Sequence, residues 1–352
     1  MTDAADGDWP LKRLMTEVVG SGTKSAEDMT REQAAEAMRR IFDGDPYPTT
    51  LGAFWLANRW KHNTPEELAA FTDEMCERAE YATPDADPVD CGANYDGKGR
   101  TAILGVAAGV VAAGAGTPVV AHSGDRTPTQ KQDVYKHVLD ELGVATELTP
   151  RDSAAMVDET GVGFYYQPAF NPAVADLFDA RDRMGVRTFV NTVETLANPA
   201  GASVHLGSFY HLAFAKKVVE TFAESAFHDL DRVVMFQGME GYDDIRPGYT
   251  KVADWSATGG FDDYEIETAA YGMDFAEEDL QVDDVAEDSA RLTREVVAGD
   301  RTDHWYDAVA LNAAVRIYAR DDADSLDSAL DAARAAVDDG SAAAVLDDLR
   351  AF

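Results

Sequence analysis

One stretch decides the fold class: CGANYDGKGRTAILGVAAGVVAAGAGTPVVAHSGDR, which runs from Cys91 to Arg126. Its middle part, GVAAGVVAAGA, is a small-residue run with the length of a buried helix, and PVVAH after it indicates a short buried strand. The alternation continues with a predicted helix in KQDVYKHVLDELG, ended by Gly143, and an apolar segment, GVGFYY. Helices that alternate with strands predict a sheet covered by helices, so the fold class is α/β.

The residues before this stretch predict a separate helical unit. Thr30 is suited to cap a helix over AAEAMRRIF. Another helix begins after Thr64, where Pro65 occupies the first turn and Glu67 completes a capping box. The helical unit therefore extends to about residue 82, and ATPDADPVD is predicted to be a polar linker.

The residues after the stretch predict further strands and helices. RVVMFQG and YEIETAAYGM are typical of strands, and WYDAVALNAAVRIYAR is typical of a helix. A last helix, SLDSALDAARAAVDDG, would be capped by Asp324 or Ser325 and ended by Gly340. The acidic stretch MDFAEEDLQVDDVAED is interpreted as a solvated connection rather than a metal site. With 352 residues, the chain is long enough for two domains.

The charge balance is strongly acidic, with 65 acidic against 30 basic residues and a net charge of −35. Arginines (21) outnumber lysines (9), and the acidic excess is spread along the chain. Such a surface is typical of a protein kept soluble in concentrated salt, so we predict a halophilic, cytoplasmic setting. A general attraction to nucleic acid or to anionic membranes is disfavoured, because both need a positive face.

The two cysteines and the longest uncharged run are predicted to be buried inside the folded protein. Cys76 and Cys91 are too few and too isolated for a disulfide framework or a zinc site, which indicates buried thiols. The run from Ala102 to Ala121 consists mostly of alanine and glycine, which gain little from hydrocarbon. We therefore predict a buried helix and strand there, not a membrane span.

The first candidate site is the loop at the start of the quoted stretch. Gly92, Gly97 and Gly99 would let backbone N–H groups approach an anion, and Lys98 and Arg100 add positive charge beside the following helix. The spacing matches neither the P-loop nor G-x-G-x-x-G after a clear strand. A phosphate cradle and a tight turn between buried elements both remain open.

A second candidate follows the strand PVVAH, in the segment AHSGDRTPTQ. Polar side chains at the carboxyl end of a strand lie where α/β sheets bind ligands; here they are His122, Ser123, Asp125, Arg126 and Thr127. A histidine at a strand end can equally be a structural hydrogen-bonding group.

A third candidate is the glycine-punctuated turn QGMEGYDDIRP, just past the strand RVVMF. Its carboxylates, Glu240, Asp243 and Asp244, suit Mg²⁺, which takes oxygen ligands and shares them with substrate phosphates. In so acidic a chain, an ordinary surface is the alternative.

A fourth candidate is the local cluster of Arg181, Arg183 and Arg187. Guanidinium groups bind carboxylate or phosphate in a two-point fashion, so one of them could face a cleft. The alternative is pairing on a helix surface with Asp179 and Asp182.

Four stretches in order resemble the anthranilate phosphoribosyltransferase family, which shares its fold with pyrimidine nucleoside phosphorylases. They are TLGAFWLANRWKHNTPEELAAFTDEM, GVRTFVNTVETLANPAG, QGMEGYDDI and DSLDSALDAARAAVDDGSA. The resemblance covers nearly the whole chain. It implies a small α-helical N-terminal domain that mediates a homodimer and a larger α/β domain with a central mixed sheet flanked by helices. We accordingly predict one domain over residues 1–82 with about 168–200, and another over 86–167 with 201–352.

The same resemblance implies phosphoribosyl pyrophosphate and Mg²⁺ in the cleft between the domains, beside a small aromatic acceptor. It places Asp243 and Asp244 on the metal-binding acidic pair, and from the composition of the turn we add Glu240 as a possible third ligand. From the glycine loop and its cations we assign the phosphate groups to Asp96, Gly97, Lys98, Gly99, Arg100 and Arg126. The residues that the resemblance assigns to the acceptor are His122 and Arg181.

The chain also departs from the family pattern at several of these segments. The substituted positions are Ala102, Leu104 and Gly105 in the phosphate loop, Ala121 before the histidine, Glu194–Thr195 in place of Gly-Pro, and Gln237. The loop and the turn are closer to the TrpD-like paralogue branch. We therefore predict Mg-dependent transfer of phosphoribosyl to an aromatic or nucleobase-like nitrogen, anthranilate among them. The alternative is a non-catalytic protein that binds nucleic acid in a groove begun by Lys98, Arg100 and Arg126.

Overall fold

The computed structural model describes residues 8–92, 95–128 and 132–352. The helices are α1 (Leu11–Leu14), α2 (Arg31–Phe42), α3 (Pro48–Lys61), α4 (Pro65–Cys76), α5 (Gly105–Gly114), α6 (Tyr135–Leu142), α7 (Pro150–Thr160), α8 (Gln167–Phe170), α9 (Pro172–Ala175), α10 (Phe178–Met184), α11 (Val190–Val193), α12 (Leu212–Glu224), α13 (Val285–Val297), α14 (His304–Ala319), α15 (Leu326–Asp338) and α16 (Ser341–Ala351). The strands are β1 (Val89–Cys91), β2 (Val119–Ser123), β3 (Val162–Tyr166), β4 (Val204–Phe209), β5 (Arg232–Gln237), β6 (Tyr249–Ser256) and β7 (Gly260–Glu267). Within the described ranges, no helix has both the length and the apolar character needed to cross a bilayer.

The strands of the described residues form one seven-stranded sheet in the order β3-β2-β1-β4-β5-β6-β7. The five strands from β3 to β5 in this order run parallel, whereas β6 and β7 pair antiparallel at the far edge. The predicted central mixed sheet flanked by helices, behind a small N-terminal helical part, is confirmed.

The order of the strands reverses beside β1. β2 and β3 are added on one side of β1, and β4 and β5 are added on the other. In open α/β sheets, such a reversal leaves a crevice outside the carboxyl ends of the strands, where ligands bind. The strand order therefore predicts a ligand site at the carboxyl ends of β1 and β4.

The core of the α/β part is built around α5. Every residue of α5 from Gly105 to Ala112 is buried, and the helix packs against α13, α14, α15 and α16. A Cβ at Gly114 would lie only 2.8 Å from the backbone nitrogen of Ala342, so glycine lets α16 approach. The predicted buried helix and the strand after it are confirmed, and both cysteines are buried and form no disulfide bond.

The helical part has its own apolar core. The capping boxes at Thr30 and Thr64 are both present, with Gln33 and Glu67 as the reciprocal side chains. Phe189 stacks on Phe71 at 4.1 Å between ring centroids, so the segment that contains α8 to α11 packs on α4. This packing agrees with the predicted division of the chain into domains, which stays a prediction.

Several local predictions differ from the structure. The strand predicted in YEIETAAYGM ends at Glu267, because the chain turns through a 3₁₀ helix, Thr268–Tyr271. The acidic connection contains the start of α13, where Asp284 accepts a hydrogen bond from the N–H of Glu287. The predicted linker ATPDADPVD ends in β1. The helix predicted in KQDVYKHVLDELG begins only at Tyr135, and its Lys131 lies outside the described residues.

Candidate active site

A cleft of about 360 Å³ opens at the switch between β1 and β4. β4 lines it with His205, Gly207 and Phe209, which share one face of the strand, and also with Ser208. Arg59 of α3 and six residues between positions 187 and 196 of the helical part also line it. The cleft therefore lies between the two parts of the molecule, where the strand order predicts a ligand.

The rim of the cleft carries cations and aromatic rings. Arg187 forms an ion pair with Asp96 at 2.8 Å, and Arg59 donates to the carbonyl oxygen of Arg187. Burial raises the pKa of Asp96, although Arg187 opposes this. Tyr210 and Phe214 are exposed and also line the cleft. The rim can thus attract an anion and contact the face of a ring.

The interior of the cleft contains an unsatisfied donor. Asn191 accepts a hydrogen bond from the N–H of Thr188 through Oδ1, at 2.9 Å. Its Nδ2 is buried and has no hydrogen-bond partner among the described residues. A buried donor without a partner is costly, so Asn191 is suited to a ligand that brings an acceptor atom.

Lys98, a predicted phosphate ligand, is instead part of the core. Its side chain is fully buried, and Nζ lies 2.5 Å from Oδ2 of Asp244 and 2.8 Å from the carbonyl oxygen of Ala102. The same Asp244 oxygen accepts from the N–H of Leu104. The prediction that Lys98 faces a ligand is corrected, because a buried charge needs a partner and Asp244 is that partner.

Asp243, a predicted metal ligand, is also fully buried. Its two oxygens each lie 2.8 Å from the hydroxyl of Tyr135, and Arg316 donates to Oδ2 at 3.1 Å. Burial raises the pKa of Asp243, and Arg316 opposes this. Gly105 leaves the room for Tyr135, since a Cβ there would lie 1.3 Å from the tyrosine oxygen.

The anion-binding geometry of the glycine loop is present, but a protein carboxylate occupies it. Glu240 accepts from the N–H of Gly99 (3.3 Å) and from both the N–H (3.0 Å) and the hydroxyl (2.8 Å) of Thr101. Burial disfavours its ionised form, but these hydrogen bonds outweigh burial and lower the pKa of Glu240. Gly97 and Glu240 both adopt positive φ, at 73° and 51°. The loop therefore binds an anion, and that anion is Glu240.

The predicted magnesium ligands do not fit the ion in this arrangement. Lys98 and Arg316 already neutralise Asp244 and Asp243, and the loop amides use the oxygens of Glu240. Of the six carboxylate oxygens, Oδ1 of Asp244 alone has no hydrogen-bond partner among the described residues. Mg²⁺ requires oxygen atoms that are free to coordinate in a near-octahedral set. In the part of the chain that the structure describes, no group of three or more His, Cys, Asp or Glu residues could hold a metal.

The two predicted acceptor residues do not line the cleft. Arg181 is buried and donates to both oxygens of Glu194, at 2.9 and 2.6 Å. His122 is fully buried, with Nδ1 2.8 Å from the hydroxyl of Tyr95 and Nε2 3.2 Å from Asp90. The prediction that they face the acceptor is corrected. The Arg181 guanidinium is hydrogen-bonded to Glu194, and the ring of His122 is hydrogen-bonded to Tyr95.

The remaining cations lie on the surface and face acidic residues. Arg100 is exposed, 3.6 Å from Glu240 and 3.9 Å from Glu277. Arg126 lies 3.3 Å from Asp182, with its guanidinium 4.6 Å from the ring of Phe178. Because Lys98 is buried, these residues do not form the basic groove that the nucleic-acid alternative needed.

Several residues that line the cleft were not predicted from the sequence, among them Tyr95, Asn191 and His205. Asn191 lies in the stretch GVRTFVNTVETLANPAG, four residues after Arg187 of the arginine cluster. His205 precedes Gly207 in the short strand VHLGSF, which was not recognised as a strand. A histidine in an apolar strand, two residues before a glycine, was the signal available.

Comparison with known proteins identifies the family. The profile described as "Glycosyl transferase family, a/b domain" matches residues 90–343, and "Glycosyl transferase family, helical bundle domain" matches residues 15–79. An anthranilate phosphoribosyltransferase of Methanocorpusculum labreanum is 31% identical over 92% of this chain and 94% of that protein. The chain belongs to the anthranilate phosphoribosyltransferase family.

Other members of this family agree in length and fold. The Haloferax volcanii protein of the same name is 31% identical over 92% of this chain and 96% of its own. The crystal structure of the Thermus thermophilus enzyme has a TM-score of 0.80 at 29% identity, with 93% and 96% of the chains covered. A Saccharomyces cerevisiae enzyme, solved "in complex with PRPP and Mg", has the same fold, with a TM-score of 0.77, 16% identity and coverage of 91% and 92%.

Proposed function

We propose that this chain transfers phosphoribosyl from phosphoribosyl pyrophosphate to an aromatic amine, and that anthranilate is the acceptor. Relatives at about 30% identity that match the chain over more than nine-tenths of its length carry that activity in their name. The observation that carries the proposal is the 360 Å³ cleft at the switch point, with its cationic rim and apolar walls.

The residues that line the cleft suit the displacement of pyrophosphate by an aromatic amine. The amine lone pair attacks C1′ of the ribose, while the bond from C1′ to the pyrophosphate oxygen breaks and its electron pair leaves with the pyrophosphate. Such a displacement depends on holding both reactants in register and on stabilising the charge that develops. Arg59 and Arg187 supply positive charge for the anionic groups, and the Asn191 amide offers a donor to the acceptor. Leu196, Phe209 and Phe214 offer apolar contact to a ring.

The metal is proposed only as an ion that phosphoribosyl pyrophosphate brings with it. Mg²⁺ commonly keeps several waters and takes ligands from substrate phosphates. The carboxylates at positions 240, 243 and 244 are engaged elsewhere. The assay below therefore compares the rate of transfer with and without Mg²⁺.

The experiment is a two-substrate assay at molar KCl, with purified protein, phosphoribosyl pyrophosphate and anthranilate, in excess Mg²⁺ and separately in EDTA. We expect release of pyrophosphate and a new species with the mass of phosphoribosyl-anthranilate, only when both substrates are present. Omission of protein and omission of each substrate are the controls. If stoichiometric protein forms no such product with anthranilate, anthranilate is not the acceptor. If nucleobases and other aromatic amines also give none, the transferase proposal fails.

The helical part is also proposed to form a homodimer. Two large aromatic side chains at α3 are exposed, Tyr47 by 74% and Trp60 by 45%. Burying such rings against a second copy would remove apolar area from water. Light scattering at molar salt should give twice the chain mass, and W60E should shift it to the monomer. A wild-type monomer at micromolar concentration would contradict the proposal.

A further inference from the structure

We propose that His205, held in place by Asp90, is the general base that takes the proton from the acceptor nitrogen. The inference rests on the proposed function and adds a catalytic residue to it. The family resemblance had not assigned either residue.

The register of the sheet creates the pair. Asp90 of β1 and His205 of β4 are register partners on neighbouring parallel strands. Nδ1 of His205 lies 2.7 Å from Oδ2 of Asp90. Asp90 is fully buried, and His205, although only 2% exposed, lines the cleft. The carboxylate thus lies behind the imidazole, and the imidazole lies against the space for the substrate.

The hydrogen bond fixes the tautomer of His205. Burial alone would raise the pKa of Asp90, but the facing rings of His122 and His205 outweigh burial and hold it well below its usual range. An ionised carboxylate can only accept, so Nδ1 of His205 carries the hydrogen. In the neutral ring, Nε2 then keeps its lone pair, and it has no hydrogen-bond partner among residues 8–92, 95–128 and 132–352. A free lone pair beside a cleft is what a general base requires.

Two glycines make the room for this ring. A Cβ at Gly92 would lie 2.7 Å from Cε1 of His205, and a Cβ at Gly207 would lie 3.3 Å from Nε2. Phe222 of α12 supports the ring, with 4.9 Å between centroids. A larger residue at position 92 would displace the imidazole, and one at position 207 would crowd the nitrogen that is to accept the proton.

The charged and titratable groups that face His205 come from several elements around it. Asp90 faces it from β1, and His122 of β2 lies beyond Asp90 at 3.2 Å. His228, after α12, is partly buried, and burial lowers its pKa to about 4, so it carries no charge at neutral pH. At the rim of the cleft, Arg187 forms an ion pair with Asp96, and Arg59 beside them leaves this group with a net positive charge. His122 is a positioning residue, because it contacts Asp90 and Tyr95 but does not line the cleft.

The proton step balances as follows. As the acceptor nitrogen bonds to C1′, it acquires positive charge, and one N–H proton passes to Nε2 of His205. The electron pair of that N–H bond returns to the nitrogen, which leaves a neutral secondary amine and an imidazolium ion facing Asp90. The imidazolium later releases its proton to water, and no oxidant or reductant takes part.

The test compares His205→Gln with the wild type in the phosphoribosyl assay. We expect kcat to fall by roughly 100- to 10,000-fold, the usual contribution of a general base, with little change in the affinity for phosphoribosyl pyrophosphate measured by calorimetry. A general base acts only in its deprotonated form, so the wild-type kcat should decline toward acid pH, and this decline should disappear in H205Q. Added imidazole should partly restore kcat in H205A, a result that a structural role would not give. His304→Gln, on the far end of α14, is the matched control and should keep the wild-type kcat and Tm.

The outcomes separate this inference from the proposed function. A wild-type protein that transfers phosphoribosyl while H205Q keeps its kcat and its pH profile overturns the role of His205 alone. An H205A variant that folds with the wild-type Tm but is not rescued by imidazole also overturns it. A wild-type protein that transfers nothing overturns the proposed function, and this inference falls with it.

Discussion

Two clusters of charged residues lie near the carboxyl end of the sheet, and their polar atoms differ in what they contact. In the core cluster, Lys98 faces Asp244 and Arg316 faces Asp243, with all four side chains fully buried. In the cleft, Arg187 is about one-third exposed, and Asn191 has a buried donor without a partner among the described residues. In the first cluster each charged side chain has a partner of opposite charge, although Oδ1 of Asp244 and Nε of Arg316 lack a hydrogen-bond partner among the described residues. In the second, the Asn191 amide offers a donor to a ligand.

This difference separates a role in stability from a role in binding. A buried ion pair holds the fold in register, because removing one partner leaves a buried charge without compensation. An unpartnered polar group beside a cleft costs stability unless a ligand completes it. We therefore assign the core cluster to folding and the cleft to substrate, although the family resemblance assigned substrate ligands to the core cluster.

The largest expected effect is on stability, in Lys98→Met. The variant leaves Asp244 buried without its cation, which should lower the free energy of unfolding by about 3–5 kcal/mol. Chemical denaturation at molar KCl measures this. Lys251→Met is the matched control, because Lys251 pairs with Glu265 on the exposed face of β6 and β7, and it should cost at most about 1 kcal/mol. Equal midpoints for K98M and K251M would contradict the assignment of the core cluster.

The next effect concerns His228, a partly buried histidine whose ring packs on Phe222. Burial lowers its pKa to about 4, whereas in the unfolded chain it titrates near its ordinary value of 6.5. Between these values the unfolded chain binds more protons, so stability is lost as the pH falls from 6.5 toward 4, by about 1.4 kcal/mol per pH unit at most. His228→Asn should remove about 2 kcal/mol of the loss between pH 7 and pH 5. H304Q, the control, should retain the wild-type slope. An unchanged slope in H228N would show that His228 titrates normally in the folded protein.

A smaller effect is expected for Arg187→Gln, and it should appear in catalysis rather than in stability. Loss of a cation at the rim should raise KM by about tenfold, which corresponds to about 1.4 kcal/mol. The ion pair with Asp96 is partly exposed, so stability should change by less than about 1 kcal/mol. Arg183→Gln, on the preceding helix and outside the cleft, should leave KM unchanged. Equal KM values for the two variants would show that the rim of the cleft does not contribute to substrate binding.

The smallest effect is expected for Asn191→Ala. The loss of one hydrogen bond to the acceptor should weaken its binding by about fivefold, or about 1 kcal/mol. Stability should fall by about 1 kcal/mol at most, since the N–H of Thr188 loses its acceptor while a buried donor without a described partner is removed. Calorimetry with anthranilate in the presence of pyrophosphate measures the affinity. An unchanged affinity would mean that the acceptor does not reach Asn191.

The sequence predicted whatever depends on local pattern. The α/β class, the N-cap at Thr30 and the capping box at Thr64 follow from residues close together in the chain. The same holds for one of the two interpretations of the loop around Gly97 and Gly99, an anion-binding loop. The occupant of that loop, Glu240, comes from a distant turn. Local pattern could not reveal that a carboxylate of the chain itself would bind there.

The errors concern long-range partners. Lys98 and Asp244 have the residue types of a phosphate ligand and a metal ligand, and only the folded chain shows that they neutralise each other. His205 was missed because its partner, Asp90, lay in a segment interpreted as a linker. The short strand β1 contains that segment's end, and the sheet register joins the two.

The most direct test of the account is a crystal structure at molar salt with phosphoribosyl pyrophosphate and anthranilate bound. We predict both ligands in the cleft, with the acceptor near Asn191 and His205, an anionic group near Arg187, and the contact between Lys98 and Asp244 intact. A structure in which the ligands displace Lys98 and contact Asp243 and Asp244, with the cleft unoccupied, would contradict it.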